Sequence, residues 1–526
     1  MMSDHPETGH HGSCFVAEPE LFAATPGISR RRMLSYVAAT GALLPGGNAR
    51  AAGPTKEPRD RPPHRDCIIE ASWVLAYQDG RLVLIRNGSV RVRGDRIVEV
   101  KESRIPGRDR RVLATGQLLL PGCISGHTHA CSATPTRGII EGGRSYARPL
   151  ELVESLSDDD LDALTACNVA ELLRSGCTTH VEMSLSLRQA ESYVRVAKNW
   201  GVRGYPGGMI PSIGRLFPIW LRANDQVLHD SVAETLKEIE ANKRFALAHN
   251  GAGDGRLRPQ LSPHATDTHT PETLQALLAA AKEVGNGIHL HLAQSPKETE
   301  TVKRLWGKRP SEWLDELGFF SQRVFGAHMG GVDAAVELPL LAKRNFVYAH
   351  CPSGGGAGGV GAVQPYPEAL AAGVRTTVGI DTHSNDYVEN LKLAVLYGRL
   401  RTKLLGPTSA VALTAPTMWH AVEGATLHAA NGLGREDLGR IEAGAKADLC
   451  SIDVSGFLTG SGAPPPEPLH NLLYANGLAV RHVMTDGAFQ VFDGRFVVDD
   501  EGRVQQRGGA VVEKIWAQLR AEKWFG

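Results

Sequence analysis

The chain has 526 residues, 42% of them hydrophobic and 22% charged, which is the composition of a soluble globular protein with one large domain and a smaller one. Lys plus Arg and Asp plus Glu both number 57, so the formal net charge at pH 7 is zero and nucleic acid is not an expected partner. The eight cysteines form no C-x-x-C pair, which excludes a zinc ribbon and a dense disulfide framework and favours buried free thiols.

The first part of the chain has the pattern of an export signal. Residues 30–32 are all arginine and precede the apolar run 34–44, and Ala-Arg-Ala at 49–51 fits an A-x-A cleavage site. An arginine pair before such a run is typical of the twin-arginine pathway, so residues 1–51 are predicted to be a signal peptide of a periplasmic or secreted protein. The alternative is a basic disordered tail. The run is too short to cross a bilayer and no other stretch approaches ~20 apolar residues, so no stable membrane association is expected.

Two β-rich regions flank the rest of the chain. Residues 66–118 contain short runs of strand-forming residues, separated by turn signals at 79–80 (Asp-Gly) and 87–88 (Asn-Gly). A similar set of runs returns within residues 440–510. The two regions together are predicted to form one small β-sandwich domain.

Between them, in residues 119–439, apolar strand-like runs alternate with helical patterns. The candidate strands are 118–124, 178–183, 202–206, 257–263, 287–293, 324–327, 346–350 and 375–380. One helix is expected to begin after Thr270, a favoured N-cap, with Pro271 in its first position. Eight strand-plus-helix units predict an α/β fold in the form of a (β/α)8 TIM barrel, with its chemistry at the C-terminal ends of the strands.

Polar residues break the apolar pattern where four of the predicted strands end. His127 and His129 stand at i and i+2 of the first strand, so both side chains point to the same side, as chelation of a metal requires. The other three strand ends carry His289 with His291, then His328, and then Asp381. A core excludes such groups unless they are paired or bound to a metal, so four independent occurrences predict a metal site.

These segments resemble the amidohydrolase superfamily, and within it the cytosine deaminase/chlorohydrolase-like branch. The similarity begins with Pro-Gly-Cys-Ile-Ser-Gly-His-Thr-His at 121–129. It continues in order through residues 176–179, 262–264, 291–294, 327–328, 349–353, 379–381 and 439–449. The resemblance extends over residues 67–498, nearly the whole chain beyond the predicted signal peptide.

The resemblance implies one divalent metal ion, usually zinc and in some members iron. The ligands that it implies are His127, His129, His291 and Asp381. Some relatives instead hold two metal ions bridged by a modified lysine from the fourth strand. Residues 257–264 contain no lysine, so a single ion is expected here.

The same resemblance implies the catalytic roles. A divalent metal lowers the pKa of its bound water toward neutrality, so that hydroxide is available to attack the substrate. Asp381 is expected to act as the general base, and His328 to stabilise the charge that develops on the substrate. His264 is a candidate substrate contact.

One position departs from the deaminase pattern. Deaminases of this branch usually carry glutamate three residues after the strand-five histidine, where this chain has Gln294. An amide donates a hydrogen bond but cannot shuttle a proton. Gln294 is therefore expected to contact the substrate, and the predicted reaction is hydrolysis of an amide, urea or carbamate C–N bond in a small molecule. The alternatives are a deaminase of an amino-substituted heterocycle and a non-catalytic binding or scaffold relative.

Other polar residues near the strand ends are interpreted as structural, with a place in the lining of the pocket as the alternative. Glu298 is predicted to be a surface glutamate at the start of a helix, and the alternative is that it replaces the missing acid. The others are His180, Glu182, His289 and His383. The glycine-rich run 353–359 lacks the G-K-[S/T] of a phosphate loop and is predicted to be a substrate-shaping loop. The resemblance also implies a homo-oligomer, a dimer or larger.

Overall fold

A computed structural model describes residues 65–354, 363–460 and 463–524. The predicted signal peptide, residues 1–51, and residues 355–359 of the glycine-rich run lie outside the described residues. Within the described ranges, all seven cysteines are free thiols, as expected, and six of them are buried.

The strands and helices of the described residues alternate along most of the chain. The strands are β1 (Cys67–Gln78), β2 (Arg81–Arg93), β3 (Arg96–Lys101), β4 (Arg111–Pro121), β5 (Cys123–Thr128), β6 (Cys177–Ser184), β7 (Arg203–Ile210), β8 (Ser262–Pro263), β9 (Ile288–Leu292), β10 (Val324–His328), β11 (Phe346–His350), β12 (Thr376–Val378), β13 (Leu449–Asp453), β14 (Val480–Thr485), β15 (Ala488–Phe492) and β16 (Arg495–Phe496). The helices are α1 (Ala147–Glu154), α2 (Asp158–Arg174), α3 (Leu187–Trp200), α4 (Ile213–Leu221), α5 (Asp225–His249), α6 (Ala252–Gly255), α7 (Pro271–Val284), α8 (Pro296–Trp306), α9 (Pro310–Glu316), α10 (Glu337–Leu341), α11 (Tyr366–Ala371), α12 (Tyr387–Leu405), α13 (Met418–Glu423), α14 (Ala429–Gly432) and α15 (Glu501–Ala521). None of these helices has both the length and the apolar composition needed to cross a bilayer.

Eight strands form one sheet, in the order β16-β15-β14-β13-β4-β1-β2-β3. Strand β4 joins the two parts of the chain, because it pairs in parallel with β1 and antiparallel with β13. The strands of both predicted β regions are therefore hydrogen-bonded into a single sheet. A sandwich of two sheets was predicted. Apolar side chains from β1, β2, β13 and β14 pack into one buried cluster on this sheet.

Two details of the predicted β regions are wrong. The Asn-Gly dipeptide at 87–88 lies inside β2, where Asn87 has a φ of 53°, so it marks an irregularity within a strand and not a turn. Residues 501–510, assigned to the sandwich, form the first half of α15, which packs against α2 of the barrel. The helix begins there because the Asp500 side chain accepts a hydrogen bond from the backbone N–H of Arg503.

Strands β5 to β12 form the predicted (β/α)8 barrel. They are arranged as two four-stranded parallel sheets, β5-β6-β7-β8 and β9-β10-β11-β12. Bridges between Leu261 and Ile288 and between Thr128 and Asp381 join the two sheets at both edges and close the barrel. All residues of these strands are buried, as expected of parallel strands covered by helices. The N-cap of α7 at Thr270 is also as predicted.

The boundary between sheet and barrel differs from the predicted first strand, residues 118–124. Strand β4 of the sheet ends at Pro121 and β5 of the barrel begins at Cys123, with Gly122 alone between them. A Cβ at Gly122 would lie 2.3 Å from Thr178 Oγ1, so only glycine fits at this passage. The apolar run continues across it, and for this reason the sequence contains no sign of the break.

A buried ionic cluster links the barrel to the sheet. Arg203, the first residue of β7, is 1% exposed and lies with its Nε 2.8 Å from Asp448 Oδ2. Its Nη2 lies 2.6 Å from Oδ1 of Asp486, in the turn between β14 and β15. A buried charge is tolerated only when it is paired and hydrogen-bonded, so this contact holds one barrel strand against the loops of the sheet.

Candidate metal centre

Four histidines and one aspartate from different strands converge at the C-terminal end of the barrel. His127 lies in β5, His129 just beyond it, His291 in β9, His328 at the end of β10 and Asp381 three residues after β12. Two groups have all their possible ligand atoms within 4.8 Å of one another: His127 with His291 and His328, and His127 with His129 and Asp381. The structure therefore brings together all four predicted ligands and the predicted charge-stabilising histidine.

The three predicted histidine ligands are each held at Nδ1. The Nδ1 of His129 lies 2.6 Å from the carbonyl oxygen of Met183, and that of His291 lies 2.9 Å from the carbonyl oxygen of His264. The Nδ1 of His127 lies 2.7 Å from Nε2 of His289. A ring that donates its Nδ1 proton has its lone pair on Nε2, the atom that is then free to bind a metal.

The Nε2 atoms point toward the Asp381 carboxylate and toward one another. Nε2 of His129 is 3.2 Å and Nε2 of His127 is 3.6 Å from Asp381 Oδ1. The Nε2 atoms of His127 and His328 are buried and have no hydrogen-bond partner among the described residues. Buried polar atoms are normally satisfied, and imidazole and carboxylate are the ligands that zinc and similar ions prefer. This donor set therefore fits a divalent metal.

The electrostatics of the cluster match that assignment. Burial lowers the pKa of His127 to about 3 and holds the pKa of His291 well below its ordinary value, so both rings are neutral. Burial alone would raise the pKa of Asp381, but the imidazoles of His127, His129 and His328 around its carboxylate hold that pKa well below the ordinary range. Burial likewise lowers the pKa of His328. The pKa of His129 is raised, because burial is outweighed by its contact with the Asp381 carboxylate. The neutral imidazoles of His127, His291 and His328 and the ionised carboxylate have the protonation states that metal binding requires.

The backbone is strained where these side chains leave the barrel. His328 has a φ of 76° and Asp381 a φ of 60°, both in the left-handed region that residues other than glycine rarely occupy. Ala293, between His291 and Gln294, has a φ of 45°. Such strain persists where the surrounding structure imposes it and is concentrated at functional sites.

One of the two predicted substrate contacts, His264, lies beside the cluster. His264 follows β8 and is 4% exposed, with its ring centroid 5.0 Å from that of His291. Its carbonyl oxygen accepts both the backbone N–H and the Nδ1–H of His291, so His264 also orients a predicted ligand. Gln294 is half-buried, three residues beyond His291.

The interpretation of Glu298 as a surface residue is wrong. Its side chain is 2% exposed and accepts the backbone N–H of Gln294 at 2.6 Å and the Thr266 hydroxyl at 2.5 Å. The pattern from Ser295 to Glu298 is that of a capping box, which in an isolated helix faces solvent. In this structure the carboxylate accepts the backbone N–H of Gln294, one residue before Ser295, and lies between two loops of the barrel mouth. The capping pattern was the feature of the sequence that could have indicated this role for Glu298.

Two of the other four polar residues, Glu182 and His289, contact the ligands or their neighbours in the chain. The carboxylate of Glu182 accepts the Thr128 hydroxyl at 2.7 Å and the backbone N–H of Ala130 at 2.9 Å, on either side of His129. His289 contacts His127, as described above. His383 lines a cavity described below. His180 is structural as interpreted, because its Nδ1 pairs with the hydroxyl of Tyr193 on α3 at 2.9 Å.

A cavity of about 430 Å³ is lined by residues near the centre in the chain, but by none of the five residues of the centre itself. Its wall includes His383, two residues beyond Asp381, together with Ser353. The charged residues that line it are Arg137, Glu141, Glu171 and Glu389. This volume lies within the range of pockets for small molecules.

The comparisons with known proteins agree with this geometry. The sequence profile of the amidohydrolase family matches residues 118–489, most of the chain. The chain belongs to the amidohydrolase family. The predicted enzyme class, a hydrolase of carbon–nitrogen bonds, is confirmed by this membership.

Similar proteins found by sequence comparison are named as deaminases. The chain is 32% identical to a 5-methylthioadenosine/S-adenosylhomocysteine deaminase of Natronomonas pharaonis, over 76% of this chain and 87% of the relative. It is 26% identical to a 5'-deoxyadenosine deaminase of Methanosarcina acetivorans, over 87% of this chain and 100% of the relative.

Solved structures share the fold. An atrazine chlorohydrolase of Arthrobacter aurescens, complexed with zinc, superposes with a TM-score of 0.70 at 21% identity, covering 85% of this chain and 100% of that one. An adenosine deaminase of Xanthomonas campestris with bound zinc has a TM-score of 0.68 at 22% identity, covering 86% and 99%. The deaminase- and chlorohydrolase-like character of the amidohydrolase neighbours is as the sequence analysis expected.

Proposed function

We propose that this amidohydrolase cleaves the C–N bond of an amide, urea or carbamate in a small molecule. The observation that carries the proposal is Gln294, which stands where a deaminase places its proton-shuttling glutamate. We assign Glu298 a structural role and not that of the acid, because its carboxylate accepts hydrogen bonds from Gln294 and Thr266. A substrate whose attacked carbon already carries a carbonyl oxygen needs no ring-nitrogen protonation.

The residues that would hold one divalent ion, zinc or iron, are His127, His129, His291 and Asp381. When bound, such an ion acts as a Lewis acid, which lowers the pKa of water and polarises a carbonyl group. The zinc present in the two solved relatives and the unpartnered Nε2 atom of His127 support the assignment. The complete donor set argues against a non-catalytic scaffold.

The protein's own side chains would move the protons. Asp381, ionised in this environment, accepts a proton from the attacking water and returns it to the leaving nitrogen as the C–N bond breaks. The products are then an acid and an amine, and no further reactant is needed. His328 faces the cluster from β10 and would donate a hydrogen bond to the substrate oxygen, with Gln294 and His264 as further contacts.

A second candidate, deamination of an amino-substituted heterocycle, is favoured by a different observation. The two relatives named above act on adenosine derivatives, as their names state, and the match spans most of each chain. If this chain shares that reaction, the proton for the ring nitrogen must come from a group other than residue 294.

Product analysis separates the two candidates. Purified zinc-loaded enzyme would be incubated with aryl amides, ureas, carbamates and aminoheterocycles, and the products identified by mass spectrometry. We expect scission into an acid and an amine. Release of ammonia with replacement of an amino group by hydroxyl would contradict the main proposal in favour of the second.

A substitution at Gln294 tests the reason for the preference. Gln294→Glu supplies a proton shuttle and is expected to raise activity toward aminoheterocycles by about 10²-fold, the usual contribution of general acid catalysis. Gln294→Ala, the control, removes the amide without adding an acid and should produce no such gain. Equal deaminase activity in the wild type and Gln294→Glu would show that this position does not select the reaction.

We also propose export through the twin-arginine pathway and a homo-oligomeric state. The first is supported by the arginines at 30–32 before the apolar run 34–44, and the second by the resemblance to oligomeric relatives. Fractionation of cells that express the full chain, with and without replacement of these arginines by lysine, tests the export. Analytical ultracentrifugation tests the oligomeric state.

A further inference from the structure

Strand β9 carries two histidines on one face, and only one of them belongs to the proposed ligand set. The other, His289, is completely buried, with its Nε2 2.7 Å from the Nδ1 of His127. The two rings are nearly perpendicular, at 81°, with centroids 4.8 Å apart. This contact joins residues that are 162 positions apart in the chain.

Only one proton can lie between these two nitrogens. If His127 binds a metal through Nε2, its own proton must be on Nδ1, so His127 donates and the Nε2 of His289 accepts. His289 then has its proton on Nδ1, an atom that is buried and has no hydrogen-bond partner within the described part of the chain. An unmade hydrogen bond at a buried donor is unfavourable, so packing alone does not explain a histidine here.

The acceptor of His127 differs in kind from those of the other two rings. His129 and His291 donate to backbone carbonyl oxygens, of Met183 and His264, which any side-chain substitution preserves. His127 alone among the three depends on a side chain for its orientation.

We propose that His289 is a positioning residue of the metal centre. It holds His127 in the Nδ1-protonated tautomer and fixes its ring plane, so that Nε2 faces Asp381 and the other ligands. The inference rests on the proposed function only for the identity of the metal ligands and not for the substrate. Partners of metal-binding histidines act in this way in general, because they set both the tautomer and the orientation of the ring.

The experiment compares two substitutions of similar volume that differ in hydrogen-bonding capacity. His289→Gln retains an acceptor oxygen, whereas His289→Met has none of comparable strength. The matched control is His180→Met, because His180 is equally buried in a barrel strand but pairs with Tyr193 and not with a ligand. Zinc affinity would be measured on the full chain by competition with a chromophoric chelator, and ligand geometry by the visible absorption of the cobalt-substituted protein.

We expect His289→Met to weaken zinc binding by about 10- to 100-fold, the usual effect of losing such a partner, and to shift the cobalt bands. His289→Gln should recover most of the affinity, and His180→Met should match the wild type in both measurements. If His289→Met does not fold, His289→Phe replaces it with the same expectation.

Wild-type affinity and spectrum in His289→Met, or an equal loss in His180→Met, would overturn the role of His289. A wild-type protein that binds no zinc would overturn the proposed metal centre and this inference with it. A zinc-binding enzyme that cleaves no amide, urea or carbamate would contradict the proposed substrate class and leave the role of His289 intact.

Discussion

Several histidines of this molecule are kept uncharged by burial, including some outside the proposed ligand set. The pKa of His180 is lowered to about 4 and that of His350 to about 3, in both cases because burial disfavours the imidazolium. Both side chains are fully buried and both Nδ1 atoms have partners, the Tyr193 hydroxyl and the Gln364 side chain. Each such residue makes the stability of the fold depend on pH.

The sign of that dependence follows from proton counts. The pKa of His180 is about 4 when folded against 6.5 in the unfolded chain, so below pH 6.5 the unfolded chain binds more protons and the folded state loses stability as the pH falls. The loss is about 1.4 kcal/mol per pH unit, or about 2 kcal/mol between pH 6.5 and pH 5 for one residue. The free energy of unfolding would be measured in urea at pH 7.5 and at pH 5.0. Between these two pH values it should decrease by about 2 kcal/mol less in His180→Met than in the wild type. Equal decreases would mean that His180 is not neutral in the fold.

Between elements, the barrel mouth depends on side chains that tie one loop to the next. Glu298, in the first turn of α8, connects the loop after β9 to the turn after β8 through Gln294 and Thr266. Glu182, at the end of β6, connects to the end of β5 through Thr128 and Ala130. These carboxylates hold the segments that carry the proposed ligands and substrate contacts.

Removal of the first carboxylate should therefore affect more than one loop. Glu298→Ala leaves the backbone N–H groups of Gln294 and Thr266 without an acceptor. Each unsatisfied group typically lowers the free energy of unfolding by about 1–3 kcal/mol. We expect the free energy of unfolding, measured in urea, to fall by about 3 kcal/mol. Glu298→Gln keeps one acceptor oxygen and should lose less. A loss below about 1 kcal/mol in Glu298→Ala would show that the loops are held by other contacts.

Across the whole molecule, the barrel and the sheet are joined by the charges around Arg203. Replacing Arg203 with methionine leaves Asp448 and Asp486 buried without this partner, and breaking such a pair typically costs about 3–5 kcal/mol. The control is Arg195→Met, because Arg195 pairs with Asp162 and its side chain is 43% exposed. The free energy of unfolding of this variant should fall by less than about 1 kcal/mol. Chemical unfolding of both variants tests the difference. Similar losses would show that the interface does not depend on the buried pair.

A metal bound by residues from three strands should also stabilise the whole barrel. A ligand that binds only the folded state adds about 4 kcal/mol when its free concentration is about 1,000 times its dissociation constant. Removal of the metal with a chelator is therefore expected to lower the Tm by several degrees and to abolish activity, and added zinc should restore both. An unchanged Tm after verified removal of the metal would contradict this prediction.

The sequence by itself determined the barrel and the principal residues of its centre. A strand has a side-chain period of two, so the histidines at 127 and 129 had to share a face. Polar residues at the ends of four apolar strands are costly to bury in a core unless they are paired or bind a metal, so their recurrence pointed to one site. The departure at Gln294 was equally visible, because it is a single residue within a recognisable motif.

Only the tertiary structure decided what surrounds those residues. The contact of His289 with His127, the burial of Glu298 and the passage at Gly122 each depend on groups brought together from distant parts of the chain. The local pattern is the same for a surface glutamate and a buried one, and for a packed histidine and one that orients a ligand. The helical start of residues 501–510 was missed for a related reason, because α15 is stabilised by packing on α2, more than 300 residues earlier in the chain.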